Sequence, residues 1–123
     1  MRMTLKWLLT LQKYNIIIRD MEPLEIKQMT EHCISTAEVL KSLAHPLRLQ
    51  ILCHLSEGNK TGGDLERLTS ASQSQVSQFL GRMKAEGILS SRRSGNFVWY
   101  QIDDAKVKKL IKAMHRIFCT PTR

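Results

Sequence analysis

Apolar residues recur at helical spacing in two consecutive stretches, the first of which begins near residue 31. The first stretch carries Ala37, Leu40, Leu43 and Ala44. His45-Pro46 ends this predicted helix, because the residue before a proline avoids the α region. Pro46 then suits the first turn of a second helix, where its missing N–H costs nothing. The apolar side of that second helix comprises Leu47, Leu49, Ile51, Leu52 and Leu55.

A short helix and a longer one follow, separated by a tight polar turn. Thr61 is a candidate cap for the short helix, in which Leu65 and Leu68 are predicted to face inward. Ser72 with Gln75 three residues later is typical of a capping box that opens the longer helix. The apolar face of the longer helix carries Val76, Phe79, Leu80 and Met83, and Gly87 closes it. Two helices in this arrangement predict a helix-turn-helix.

The remaining third of the chain predicts a β-hairpin and a last helix. Residues 88–93 and 97–102 are the predicted strands, the second of which carries β-branched and aromatic residues, and Ser94-Gly95-Asn96 between them is a turn. Apolar residues then return at helical spacing from Ala105 to Phe118. The fold class predicted is mainly α with a small β-hairpin, a winged helix-turn-helix that is homodimeric.

Charge and cysteine content narrow the class of protein. The chain has 123 residues and a formal net charge of +8, which suits one basic domain with an anionic partner, either nucleic acid or a membrane surface. Its three cysteines include no C-x-x-C pair, so reduced thiols and a cytoplasmic location are expected. No apolar run reaches the ~20 residues that span a bilayer.

The domain organisation expected is an N-terminal extension, a DNA-binding domain and a short tail. Residues 1–29 are the extension, either flexible or the product of an early start codon, with Met21 or Met29 as the alternative beginning. Residues 30–119 form the winged helix-turn-helix, and residues 120–123 form the tail.

The helix that follows Ser72 carries a polar face suited to reading DNA. Glutamine and serine exchange hydrogen bonds with base edges, and the face has no acidic residue before Glu86. Cations at the hairpin suit phosphates or a minor groove. The candidate DNA-binding residues are Gln73, Ser74, Ser77, Gln78, Arg82, Arg92, Arg93 and Asn96. A solvated face is the alternative interpretation.

The motifs LKSLAHPLRLQILCHL, SQSQVSQFLGRMKAEGIL and RRSGNFVWYQI resemble the ArsR/SmtB family of winged-helix repressors over about residues 30–119. The resemblance implies a homodimer, joined through the first and last helices, that binds double-stranded operator DNA and releases it on a chemical signal. Phe79 departs from the pattern, because relatives often carry histidine there. The departure is expected to alter either a DNA-facing or a helix-packing contact.

Cys53, in ILCHL, and Cys119, in HRIFC, resemble the paired thiols of the sulfide- and persulfide-responsive branch of the family. The resemblance implies that a reactive sulfur species or another oxidant joins them by a disulfide or polysulfide bridge. In that branch the chemistry centres on the position of Cys53, which implies that Cys53 reacts first here. No role carries over to Cys33.

A metal-responsive repressor is the alternative. One familiar family site needs cysteines before the recognition helix, which are absent, and the other needs more ligands than His115 and its neighbours provide. A zinc site from Cys53, Cys119 and His115, with His54 or Cys33 added, remains open. No cofactor is expected. An enzyme is disfavoured, since no P-loop or G-x-G-x-x-G is present, and a membrane-surface peptide leaves residues 60–102 unexplained.

Overall fold

The computed structural model describes residues 23–119, in five helices and three short strands over that range. Most of the expected N-terminal extension, including Met21, and the whole C-terminal tail lie outside the described residues. The chain divides into two units, residues 1–42 and residues 43–123.

The described part of the first unit is a single helix, α1, which spans Pro23–Leu43 and whose last residue already belongs to the second unit. Its end before His45-Pro46 agrees with the sequence, but its start lies about eight residues earlier than the apolar pattern indicated. Pro23 suits the first position of a helix. The turns that follow it are largely exposed, so they show no apolar pattern from which the sequence could predict them. Cys33 consequently lies within α1 and is exposed.

Three helices build the centre of the second unit: α2 (Pro46–Ser56), α3 (Gly62–Thr69) and α4 (Gln73–Ala85). As the sequence predicts, Pro46 stands in the first turn of α2. The helices pack around side chains that are almost completely buried, which are Ile51, Leu52, Leu65, Val76, Leu80 and Met83. Leu65 faces this core as expected.

The expectation that Leu68 also faces inward is wrong, since 47% of the residue is exposed. Residues three apart on a helix differ by about 60° in direction, and α3 ends one residue after Leu68. Leu68 therefore lies at the edge of the buried face rather than in it.

The hairpin is part of a three-stranded antiparallel sheet. The strands are β1 (Lys60–Thr61), β2 (Leu89–Ser94) and β3 (Phe97–Ile102), in the order β1-β3-β2. Ser94 pairs with Phe97 across a two-residue turn, in which Gly95 takes a φ of 61°, a conformation that favours glycine. The sequence did not predict β1, because two residues show no periodicity.

The last helix, α5 (Ala105–Phe118), packs against α2. Asp104 caps it by accepting hydrogen bonds from the backbone N–H groups of Lys106 and Val107, at 2.9 and 3.2 Å. Val107 and Ile111 turn into the core. No helix among residues 23–119 is long and apolar enough to cross a membrane.

Candidate DNA-reading surface and thiol pair

The polar face of α4 is fully presented to solvent. Ser72 accepts a hydrogen bond from the N–H of Gln75 at 3.2 Å, and the Gln75 side chain accepts one from the N–H of Ser72 at 3.4 Å. This reciprocal cap starts α4 at the residue that the sequence indicated and leaves the following first turn exposed. All five candidate residues on α4 are exposed, namely Gln73, Ser74, Ser77, Gln78 and Arg82.

The opposite end of α4 is fixed to the start of α2 by a partly buried ion pair. The Arg48 guanidinium donates two hydrogen bonds to the Glu86 carboxylate, at 3.1 and 3.2 Å. The Arg48 side chain is 7% exposed and that of Glu86 is 39% exposed. Glu86 also caps the C-terminus of α4. A two-point contact of this kind sets orientation as well as distance.

Phe79 completes this junction from the side of α4. Its ring centroid lies 4.6 Å from that of His45, and the Arg48 guanidinium carbon lies 5.7 Å from the same ring. His45 in turn caps α2 by accepting a hydrogen bond from the N–H of Leu47 through Nδ1, at 3.1 Å. Of the two effects expected from phenylalanine at this position, the structure shows a helix-packing contact.

The hairpin places the second group of candidate residues at its exposed end. Arg92, Arg93 and Asn96 are all exposed. Arg92 and Arg93 lie in the second half of β2 and Asn96 lies in the turn before β3, and β2 packs against α4. The structure thus puts polar helix residues and cationic hairpin residues on neighbouring elements, as a surface that reads DNA requires.

The two cysteines that the sequence singled out lie on packed helices. Cys53 is half-buried on α2, and Cys119 is exposed as the C-terminal cap of α5. Burial raises the pKa of the Cys53 thiol, and the charges of Cys119 and Glu57 raise that pKa further. The electrostatic effect of Cys119 on Cys53 indicates that residues far apart in the sequence are neighbours in space.

The zinc site that the sequence left open is not assembled within the described part of the chain. No three histidine, cysteine, aspartate or glutamate side chains of residues 23–119 lie close enough together to hold an ion. His115 is half-buried on α5, and its carbonyl oxygen accepts a hydrogen bond from the N–H of Cys119 at 2.9 Å.

Sequence reasoning missed the two acidic residues that bear on these sites. Glu86 forms an ion pair with the buried Arg48. Glu57 raises the pKa of Cys53, which lies four residues earlier. Only the second had a sequence signal, since residues four apart share a helical face. Arg48 lies between two leucines in a helical stretch, and nothing in that pattern distinguishes a buried arginine from a solvated one.

Comparison with known proteins places these features in a family. Residues 45–91 match the family described as bacterial regulatory protein, arsR family. The chain is 36% identical over 94 residues to a biofilm growth-associated repressor of Xylella fastidiosa, a match that covers 76% of this chain and 82% of that protein. It is 31% identical to the transcriptional activator HlyU of Vibrio cholerae, with 79% of this chain and 90% of that protein covered.

Solved structures share the fold. Reduced HlyU from Vibrio cholerae superposes with a TM-score of 0.72 at 31% identity, covering 76% of this chain and 99% of the other. The transcriptional repressor BigR from Xylella fastidiosa superposes with a TM-score of 0.71 at 35% identity, covering 76% and 92%.

Proposed function

The chain belongs to the ArsR family of bacterial regulatory proteins. From this membership we propose a dimeric repressor whose affinity for operator DNA is controlled by Cys53 and Cys119. That the protein is a transcriptional regulator of winged-helix fold, and not an enzyme, follows from relatives that are named transcriptional regulators. Relatives include both a repressor and an activator. Repression is the output we propose, acting in the cytoplasm.

DNA reading is assigned to α4 and the hairpin. Gln73, Ser74, Ser77 and Gln78 would set sequence preference through base edges in the major groove. Four residues would hold the DNA mainly through phosphates and the adjacent groove, namely Arg82, Arg92, Arg93 and Asn96. The exposure of all eight residues supports contact with DNA. Their division follows from side-chain chemistry, because amides and hydroxyls suit base edges and guanidinium groups suit phosphates.

Dimerisation is assigned to α1 and α5. Each helix exposes large apolar side chains, which is unusual for a helix face that stays in water. On α5, Ile117 and Phe118 are 71% and 80% exposed. On α1, the exposed residues are Leu24, Ile26, Met29, Ile34 and Leu40. A symmetric pair of reading helices also suits a palindromic operator.

The observation that carries the switch is the packing of α5 on α2, which brings Cys119 close enough to Cys53 to raise the pKa of that thiol. A persulfide, R–S–SH, supplies the oxidising equivalents that two thiols need. The Cys119 thiolate attacks the outer sulfur, forming Cys119–S–SH and releasing RS⁻. The Cys53 thiolate then attacks the inner sulfur, Sγ of Cys119, which forms the Cys53–Cys119 disulfide, breaks the bond from Sγ to the outer sulfur and releases HS⁻. This order departs from the expectation that Cys53 reacts first, because Cys119 is exposed whereas burial raises the pKa of Cys53.

The bridge would act on DNA binding through α2. That helix carries Cys53 near its end and Arg48 near its start, and Arg48 holds the end of α4 through Glu86. A bond between α2 and α5 therefore shifts the reading helix relative to the dimer helices. Half-sites lie about 34–36 Å apart, so a small shift lowers affinity. One relative was solved in a form described as reduced, which is consistent with a redox-dependent state.

The test compares single-cysteine variants in operator binding before and after persulfide treatment. Cys53→Ser and Cys119→Ser are expected to bind DNA as the parent does and to lose release. Cys33→Ser is the matched control, because Cys33 lies on α1 and should keep the full response. Normal release from the Cys53→Ser, Cys119→Ser double variant would refute the switch. Release by zinc alone would favour the metal-responsive alternative, which no cluster in residues 23–119 supports.

A further inference from the structure

An open groove of about 570 Å³ runs between the end of α2 and the second half of α5. Its volume lies in the range of small-molecule sites, about 300–1,000 Å³. The residues that line it are Ser56, Glu57, Lys109, Lys112, His115 and Arg116.

This groove, which we call the basic groove, adjoins both thiols. The Ser56 hydroxyl donates a hydrogen bond to the Cys53 carbonyl oxygen at 2.7 Å, and Glu57 acts on the Cys53 thiol. At 100° per residue, Cys119 falls between His115 and Lys112 around the axis of α5. The residues that follow Cys53 on α2 and precede Cys119 on α5 by about one turn therefore line the basic groove.

The basic groove carries more positive than negative charge, which favours an anionic ligand. Lys109 and Lys112 line it against the single carboxylate of Glu57. Within residues 23–119, neither Lys109 nor Lys112 forms an ion pair, although Glu57 lines the same groove. Such an arrangement is complementary to a molecule with carboxylates in excess and a single ammonium group.

We propose that the basic groove binds the carrier portion of the sulfur donor, which is the persulfide of an amino-acid or small-peptide thiol. The lysines hold its carboxylates and Glu57 holds its ammonium group, so that the outer sulfur meets Cys119. This inference rests on the proposed thiol switch and adds to it a binding site for the carrier portion of the donor.

The groove also aids the reaction itself. Attack by the Cys119 thiolate on R–S–SH forms Cys119–S–SH and expels RS⁻, whose negative charge develops inside the groove. Cations beside a leaving thiolate stabilise it, and a better leaving thiol speeds exchange. A neutral carrier gains neither the binding nor this stabilisation.

The first test measures the rate of bridge formation with two donors, glutathione persulfide and the same persulfide with its carboxylates esterified. The parent is expected to prefer the carboxylated donor. Lys109→Gln with Lys112→Gln is expected to reduce that preference about tenfold. Lys106→Gln with Lys108→Gln is the matched control, because it removes the same charge from α5 outside the groove and should leave the preference unchanged.

The second test concerns the ammonium group. Glu57→Gln also changes the rate at which Cys53 closes the bridge, whatever the donor. The readout is therefore the rate ratio between a free-amine donor and its N-acetylated form. This ratio is expected to fall toward one in Glu57→Gln and to persist in Glu66→Gln, which changes a carboxylate on α3.

The outcomes separate this inference from the switch on which it rests. If no donor bridges Cys53 and Cys119 in the parent, the switch itself is refuted. If both donors bridge them equally fast, or if the groove variant and its control behave alike, the switch stands and the carrier site is refuted. A loss of DNA affinity in the reduced Lys109→Gln, Lys112→Gln variant, with donor preference intact, would assign the groove to DNA phosphate instead.

Discussion

Phe79 is one side chain that connects the middle of α4 to the start of α2. It lies on α4, yet its ring contacts His45 and Arg48 at the start of α2. Aromatic contacts and a guanidinium over a ring add specific geometry to simple burial. The sequence marked Phe79 as unusual but left open whether it faced DNA or a helix, because amphipathic periodicity does not identify the neighbour.

Individual side chains on the reading surface are expected to differ in what they control. Gln78→Ala should reduce discrimination between operator and altered sites by about 1–3 kcal/mol, because a base-edge contact is lost. Arg93→Ala should weaken specific and random DNA alike and flatten the logarithmic salt dependence by about 0.9. Titrations over a range of salt concentrations measure both. An intact salt slope with altered base preference in Arg93→Ala would contradict the assignment.

Bridge closure is expected to accelerate with pH. Burial and like charges raise the pKa of Cys53, so its thiolate fraction grows about tenfold per pH unit across the neutral range. The measurement uses protein in which Cys119 carries a chromophoric thiol as a mixed disulfide and Cys33 is serine. Release of that thiol then reports attack by Cys53 alone.

The same measurement has an internal control. Glu57→Gln removes a like charge, lowers the pKa of Cys53 and should speed closure a few-fold at each pH. Glu66→Gln should leave the rate unchanged. A rate independent of pH would show that Cys53 does not attack as a thiolate.

At the scale of helices and strands, the junction between α2 and α4 depends on a buried charge. Arg48 is the one charged residue that is buried among residues 23–119, and Glu86 meets it with two hydrogen bonds. Removing one partner takes two charge-assisted hydrogen bonds from the other. Since Glu86 is partly exposed, the effect is smaller than for a fully buried pair.

Glu86→Gln is therefore expected to lower the free energy of unfolding by about 1–2 kcal/mol, measured by urea denaturation. The matched control is Glu31→Gln on an exposed face of α1, which should change stability by less than about 0.5 kcal/mol. Equal effects of the two substitutions would mean that the ion pair contributes nothing to the junction.

The elements that could be predicted from the sequence are those with local signals. Ser72 and Gln75 marked the start of α4, and the apolar spacing gave α5 its correct range. The start of α1 could not be placed, because its first turns lack an apolar face. The proximity of the thiols came only from family resemblance, since the packing of α5 on α2 is a tertiary property without a local signature.

At the scale of the whole molecule, dimerisation is expected to depend on the exposed apolar faces. Ile34→Glu combined with Ile117→Glu should convert a micromolar dimer into monomers, because it places charges on both helices. Leu68→Glu is the control, since Leu68 is exposed but lies on α3. Light scattering gives the mass, and operator affinity should fall at least about a hundredfold when the half-sites are no longer joined. A persistent dimer in the double variant would contradict this interface.

The strand β1 has a consequence for how the protein selects DNA by shape. Thr61 pairs with Trp99 of β3 and also accepts the capping hydrogen bond that starts α3. Thr61 thus connects the hairpin to the helix-turn-helix. The distance between the tip of the hairpin and the reading helix is therefore fixed. A fixed distance between two DNA-contacting elements cannot adjust to a duplex whose minor groove widens or narrows. Sites whose flanking minor groove already has the matching width will bind best, so base pairs that no side chain touches contribute to operator choice.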